Sequence, residues 1–375
     1  MSTIQVLPVR NRRERNAFIQ FPWRIYQNDP AWVPPLIIER KAFLDRKRHP
    51  FYQHGDAALF LAKQNGEIVG RIMVSDDPNY NALHQSNVGC FGLFESIDDV
   101  DVAAALFDTG MEWLRRRGRS EIMGPIDYST NYVCGLLIDG FQHPPTVLTA
   151  HNPPYYARLI EACGFEKVKD WYAWWFEPNN APISRLRRLV DARARKTSVK
   201  IRPIDLRRLA DESQRLGGVF NEAWKNNWGF VPFTEAEAKH MATEMRPILV
   251  PWMTLIAEVD NAPVAFVICV PDINVALQRL NGRLMRFGLP IGLIKLLYQR
   301  NKIRTARFIA LGVLEKYRRA GIAEMLVLQV MEEGARQGFA GELSMTLEDN
   351  VMINRFLEAL GATKYKTYRI YKRTI

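Results

Sequence analysis

The chain of 375 residues is longer than one hydrophobic core usually serves, and 47% apolar with 24% charged residues is ordinary globular composition, so two domains are expected. No run of eighteen apolar residues occurs, and the opening MSTIQVLPVRNRRER brings charge before any apolar stretch, which argues against a membrane span and a secretory leader and for a cytosolic protein. The balance of 51 basic against 40 acidic residues gives +11.

The basic excess gathers in RNRRER near the start and again over 185–208. A solvated basic helix accounts for the second cluster, and attraction to an anionic partner is the alternative: CoA phosphates, an anionic membrane surface or nucleic acid. Nucleic acid ranks last and is not expected, because no recognition motif accompanies the charge. Cys90, Cys134, Cys163 and Cys269 are scattered without CxxC spacing or a nearby His, so they read as reduced, mostly buried thiols and no metal site is expected.

Along the chain, residues 60–74 hold two β-type runs around Asn65-Gly66, a hairpin signal, followed by a strand at 91–95 and the acidic turn SIDDVD. A helix over 101–118 presents Val102, Ala105, Leu106, Trp113 and Leu114 on one face. A long insertion at 124–146 precedes a second helix, opened by Asn152-Pro153-Pro154, striped by Tyr156, Leu159, Ile160 and Cys163, and closed by Gly164. The aromatic strand WYAWWF at 171–176 ends this half.

After a basic, proline-flanked join the same order returns. A hairpin around Asp260-Asn261 spans 254–270, and an insertion at 271–303 leads to a buried-type strand and a turn. A helix over 321–337 turns Ile322, Met325, Leu326 and Val330 inward, with Leu328 and Met331 widening the stripe. A strand at 343–347, a helix from Asn350 with Ile353, Phe356, Leu357 and Leu360 before Gly361, and an aromatic strand at 368–371 complete it. The fold class is therefore α/β (α+β): a tandem duplication whose halves are each a mixed β-sheet flanked by helices, with domains at 1–177 and 201–375 and a basic linker at 178–200.

The segment ARFIALGVLEKYRRAGIA at 306–323 is a strand delivering a turn to a helix start. Unpaired backbone N–H groups at the positive end of a helix suit a pyrophosphate, glycine lets the backbone approach it, and Arg318 and Arg319 add charge. Arg318-Arg319-Ala320-Gly321-Ile322-Ala323 resembles the R/Q-x-x-G-x-G/A loop of the GNAT acyltransferases. LGVLEKY resembles that family's fourth strand, and EDNVMINRFLEALGA its Asn-initiated helix. The resemblance implies acyl-CoA as co-substrate without metal or redox cofactor, held by Leu311, Val313, Arg318, Arg319, Ala320, Gly321, Ile322, Ala323, Asn350 and Asn354. It also implies direct acyl transfer to an amine acceptor with no covalent enzyme intermediate. A plain helix start, and plain N-capping by Asn350, are the structural alternatives. SIDDVD in the first half lacks glycine and repels phosphate, so that copy is expected to have lost acyl-CoA binding and to serve as scaffold and part of the substrate cleft.

Family members often place a Tyr four residues before the closing Gly as acid for the departing thiol, and Leu357 stands there instead. Glu348 is the first candidate for the base and Asp272 the second, although an acid ahead of a helix is favoured by the dipole in any case. His240 reads as solvated, Tyr368 and Tyr371 as packing or alternative acids, and Asp127, Tyr128 and Asn131 as substrate contacts in a long polar loop.

PFYQHGDAALFLA, GRIMVSDDPN, FGLFES and NPPYY are similar to a bacterial group of two-lobed GNAT proteins, the bacterial ceramide synthases among them, which N-acylate a long-chain sphingoid base. In the second insertion Leu284, Met285, Phe287, Leu289, Ile291 and Leu293 are interspersed with Arg283, Arg286 and Lys295. It is too short to span a bilayer and reads as an interfacial segment peripheral at the inner face of the membrane, a cover for an acyl chain, or an internal helix. Three functions stay open: an N-acyltransferase on a long-chain amine, a peptidoglycan-type aminoacyl transferase, and a non-catalytic acyl-CoA-binding or membrane-docking protein. The oligomeric state is not readable.

Overall fold

The structure, a computed structural model, describes residues 3–177, 183–194, 199–285 and 288–375. Parts of the basic join, and Arg286 and Phe287 of the second insertion, lie outside the described residues. Contacts divide the chain into two compact units, Met1–Trp171 with Ala276–Leu297 and Lys366–Ile375, and Tyr172–Val275 with Tyr298–Tyr365. Where the sequence suggests a single join, the division thus assigns part of the second insertion and the last strand to the first unit.

The first unit opens with β1 (Ile4–Pro8), α1 (Arg12–Gln20), α2 (Pro22–Ile25) and α3 (Ile37–Phe43). It continues through β2 (Asp56–Gln64), β3 (Glu67–Asp76), α4 (Pro78–His84), β4 (Val88–Ser96), α5 (Val100–Arg115), β5 (Glu121–Gly124), β6 (Leu136–Asp139) and α6 (Tyr156–Ala162) into β7 (Glu166–Phe176). Asn65 and Gly66 take φ of 53° and 83°, the left-handed pair a two-residue hairpin turn requires. β1 to β4 are antiparallel neighbours and β5 joins β4 in parallel. α5 seals one face with Val102, Leu106, Phe107 and Leu114, all at 0% exposure, and Tyr156, Leu159 and Ile160 of α6 pack beside them as their spacing predicts. Asn152 does not cap α6: its amide clasps Leu137, accepting from the N–H at 2.7 Å and donating to the carbonyl at 3.0 Å.

After α7 (Ile183–Ala194), the second repeat runs β8 (Lys200–Pro203), α8 (Leu209–Trp224), α9 (Glu235–Met245), β9 (Thr254–Val259), β10 (Ala262–Pro271), α10 (Asn274–Leu277), α11 (Ile291–Arg300), β11 (Thr305–Val313), α12 (Ile322–Arg336), β12 (Ala340–Leu347), α13 (Val351–Ala359) and β13 (Thr363–Thr374). The expected hairpin turn at Asp260-Asn261 has φ of 51° and 62°. The stripe expected on α13 is half right: Leu357 and Leu360 are buried, but Ile353 is 38% exposed. Asn354 takes the inner position there, where its amide donates to the Leu347 carbonyl at 3.1 Å and so keeps a partner while half-buried.

The final strands cross over. Lys366–Ile375 belongs to the first unit, where β13 pairs antiparallel with β5 from Tyr371↔Gly124 to Thr374↔Glu121. The last part of β7 belongs to the second unit, beside β12, where Trp174 Nε1 donates to Thr346 Oγ1 at 2.9 Å. All four cysteines are buried, and burial pushes the Cys163 thiol up to about 11 and Cys90 and Cys269 further still. Among the described residues no helix is long and apolar enough to cross a membrane.

Candidate active site

In the second unit β11 and β12 are parallel neighbours only at their beginnings, from Thr305↔Ala340 to Arg307↔Glu342, although both continue well past that point. A bulge lies just beyond: the register with β10 passes from Ile268↔Ala310 to Cys269↔Phe308 and skips Ile309, which bends β11 and unlocks its pairing. The two strands therefore part, and at the far end β11 turns through a short 3-10 segment, Glu315–Ala320, into α12. Gly321 closes that segment at φ 77°, a backbone state nearly reserved for glycine, and no side chain caps the helix that follows. The N-cap position thus supplies no side-chain acceptor for the first turn of α12, an anion-accepting arrangement.

The first unit repeats each of these parts and closes them. β4 has its own bulge, with Leu93 at φ 44°, and pairs with β5 only from Val88↔Glu121 to Cys90↔Met123. Past that point the loop after β5 fills the gap: the Leu93 N–H donates to Asp127 Oδ1 at 3.0 Å, and the Ile126 N–H to the Phe91 carbonyl at 2.6 Å. Gly92 is required there, since a Cβ would stand 2.6 Å from the Asp127 carboxylate and 2.5 Å from the Ile126 carbonyl. At the helix, Asp99 caps α5 by accepting from the N–H groups of Asp101 at 2.9 Å and Val102 at 3.4 Å. A carboxylate of the protein itself sits where a phosphate would need to bind.

Of the residues the sequence points to, Leu311, Val313, Arg318, Arg319, Ala320, Gly321, Ile322 and Ala323 fall along this one strand, turn and helix start. Arg318 reaches sideways, its Nη2 donating to the Ala223 carbonyl at the end of α8 at 2.8 Å, and Arg319 is exposed. Asn350 is an exposed N-cap, accepting from Ile353 N at 3.4 Å. Asn354 is engaged internally, receiving the Thr346 hydroxyl at 2.5 Å and donating to the Leu347 and Glu348 carbonyls. Leu357 is 7% exposed and packed with Trp174, Leu343 and Leu360, so the position offers no acid.

Glu348, half-buried one residue past β12, lies at the end of the sheet from which the loop springs. Asp272 does not: it follows β10, its N–H donates to the Thr305 carbonyl at 2.8 Å, and it sits at the opposite end of β11, roughly 25 Å of strand from the loop. Tyr128 is wholly buried, donating to the Phe43 carbonyl at 2.8 Å, so it is part of the first unit's core. Asp127 is buried beside Leu93, and Asn131 is half-buried in the same loop. Tyr368 and Tyr371 are buried in the first unit, Tyr371 donating to Glu161 at 2.8 Å, and His240 stands 3.3 Å from Glu244 on α9.

The sequence reading missed the aromatic wall on α8. Trp224 Nε1 donates to the Leu311 carbonyl at 3.3 Å, tying the helix to β11. Phe220 lies between Trp224 at 4.9 Å and Phe233 at 5.0 Å, and Asn221 clamps Phe233 by exchanging two hydrogen bonds with its backbone. The aromatic density of FNEAWKNNWGFVPF was the available signal.

Comparison with known proteins agrees with this geometry. Residues 218–362 match the acetyltransferase (GNAT) family. The chain is 39% identical to Protein YghO of Escherichia coli (strain K12), over 97% of this chain and 94% of that protein. It is 33% identical to the bacterial ceramide synthase of Caulobacter vibrioides (strain NA1000 / CB15N), over 99% and 98%. Among solved structures, a tandem GNAT protein from the clavulanic acid biosynthesis pathway matches with a TM-score of 0.60 at 12% identity, covering 99% of this chain and 98% of that one, which bears on the fold alone. The parting of β11 and β12 behind an uncapped glycine turn, in one of two copies of the same plan, together with these relatives, makes the chain a tandem member of the GNAT family, an acyl-CoA-dependent N-acyltransferase.

Proposed function

We propose that the protein transfers a fatty acyl group from acyl-CoA to the primary amine of a long-chain, sphingoid-type acceptor at the anionic surface of a membrane, using the second unit alone for CoA. The observation that carries the siting is the contrast between the two copies: α12 starts uncapped at Gly321, whereas α5 is capped by Asp99 and its strand gap is filled by Asp127. The turn from Arg318 to Ala323 would hold the pyrophosphate through the backbone N–H groups of α12. The amine nitrogen attacks the thioester carbon, the C–S bond breaks, and the proton lost by nitrogen is balanced by protonation of the CoA sulfur. An amine of pKa about 10 must first lose a proton at neutral pH, and Glu348 is the carboxylate placed at the loop end of the sheet to accept it. No acid is needed at Leu357, since a thiol of pKa about 8.5 departs readily. Phe220, Trp224 and Phe233 supply an apolar wall suited to a hydrocarbon acceptor, and 33% identity across the chain to a protein named bacterial ceramide synthase supports that substrate class.

The test pairs calorimetry with product analysis. Palmitoyl-CoA should bind the wild type, and Gly321→Asp should weaken it at least tenfold, because a carboxylate and a Cβ then occupy the turn. Incubation with palmitoyl-CoA and a long-chain 2-amino alcohol should yield the amide by mass spectrometry, with Glu348→Gln lowering kcat far more than it raises KM. Binding that survives Gly321→Asp would overturn the siting, and amide formation confined to short, water-soluble amines would overturn the substrate class.

A further inference from the structure

α11 is amphipathic in the sense opposite to a solvent-facing helix. Gly292 and, past the helix end, Ile303 are buried, and Leu296 and Gln299 are half-buried, so the packed stripe follows steps of three and four residues. The other side carries Leu293, Ile294, Leu297 and Tyr298, exposed at 40%, 62%, 55% and 66%. With Met285 and Leu289 they account for six of the thirteen exposed large hydrophobic residues among the described residues, a concentration that surface composition alone does not produce.

The charge around this strip has one sign. No acidic residue occurs between Asp272 and Glu315, a stretch that contains Arg279, Arg283, Lys295, Arg300, Lys302 and Arg304. Lys295 on the helix and Lys302 just past its end border one edge of the apolar strip, and Arg300 the other. Lys302 Nζ is 2.8 Å from the Tyr298 hydroxyl and 4.2 Å from the ring centre, a stem lying along apolar surface with its charge at the rim. The segment is also fastened at its start: Trp23 Nε1 donates to Asn281 Oδ1 at 2.6 Å, Gln278 Nε2 to the Pro30 carbonyl at 2.7 Å, and the Ile37 N–H to the Gly282 carbonyl at 3.0 Å.

We propose that α11, with Met285 and Leu289 ahead of it, is the surface by which the protein docks on an anionic lipid bilayer. The helix lies in the plane of the interface, with Leu293, Ile294, Leu297 and Tyr298 in the acyl boundary and Lys295, Arg300 and Lys302 among the lipid phosphates. At about 15 Å it is too short to span a hydrocarbon core of about 30 Å. A second copy of the chain fits less well, since two such faces would oppose cations without a compensating acid. The inference deepens the proposed function, resting on it only in that a long-chain amine resides in a membrane.

The experiment is co-sedimentation of the full-length protein with phosphatidylcholine vesicles, with and without phosphatidylglycerol. The wild type should pellet with the anionic vesicles and increasingly less as salt rises. Ile294→Glu with Leu297→Glu should lower the partition at least tenfold, and Lys295→Gln with Lys302→Gln should remove most of the preference for anionic lipid. Wild type that stays in the supernatant, or a double glutamate variant that pellets equally, overturns the proposal. So does a wild-type dimer, seen in sedimentation velocity without lipid, that the glutamate variant makes monomeric. Calorimetry with palmitoyl-CoA on the glutamate variant, and vesicle binding by Gly321→Asp, separate this inference from the catalytic one: each variant should keep the property the other loses.

Discussion

At Asp127 a single buried carboxylate fills the strand gap of the first unit. Burial pushes it up to about 6, while the Arg40 charge and the Leu93 N–H pull in the other direction without cancelling the cost. The folded protein therefore holds this proton more tightly than the unfolded chain, whose aspartates titrate near 4, and the stabilisation present below ~pH 4 is lost as the pH rises through ~6. Asp127→Asn keeps an acceptor for Leu93 but carries no charge. It should raise the melting temperature at pH 7.5 relative to wild type, by an amount corresponding to at most roughly 3 kcal/mol, and change little at pH 4. Thermal unfolding across that range checks it, and a difference independent of pH would show the carboxylate to be comfortable where it is. At this scale the sequence reveals residues whose type is dictated by backbone geometry: Asn65-Gly66, Asp260-Asn261 and Gly321 all have the positive φ their positions demand. It misleads where polarity is taken for exposure, as with Tyr128, and it does not contain which end of a strand a candidate acid occupies, as with Asp272.

Between elements, the comparison is of α5 with α12, two copies of one helix in one place in the fold. Asp99 spends its carboxylate on the start of α5, and Asp99→Ala should cost about 0.5–2 kcal/mol, read from the denaturant midpoint, because the N–H groups of Asp101 and Val102 then lose their acceptor. No such loss is available at α12, whose start has no side-chain cap. The order of hairpin, strand, helix, strand, helix and strand is legible in both halves because each amphipathic stripe and each turn pair is a local signal. The bulges at Leu93 and Ile309, and the parting of the strands beyond them, are not legible, since register depends on a partner strand that local periodicity does not contain. The same limit explains Ile353: a stripe three residues off the helix cap looks apolar in sequence, but the hydrogen bonds of Asn354 set the rotation of α13.

For the molecule as a whole, the crossing of the final strands decides how the parts depend on one another. The two aromatic strands, WYAWWF and YRIY, have the same character, so nothing local tells which sheet receives which. Tyr371 is 1% exposed within the first unit's core, and Tyr371→Ala should cost about 3–5 kcal/mol. Hydrogen exchange should then rise in β5, around Ile122 and Met123, far away in sequence; a rise confined to β12 would contradict the assignment of this strand to the first unit. The crossing also sets a clock. On the ribosome the first unit can build its helices and most of its sheet early, yet the strand that covers β5 follows the whole second repeat in the chain. Until that strand emerges, an apolar nascent edge waits with its hydrogen-bonding groups open, a template for other chains. Native assembly of the first unit is thus timed by the synthesis of the second, and a chain lacking Lys366–Ile375 would be expected to damage the unit that emerges first while leaving the residues of the later one complete.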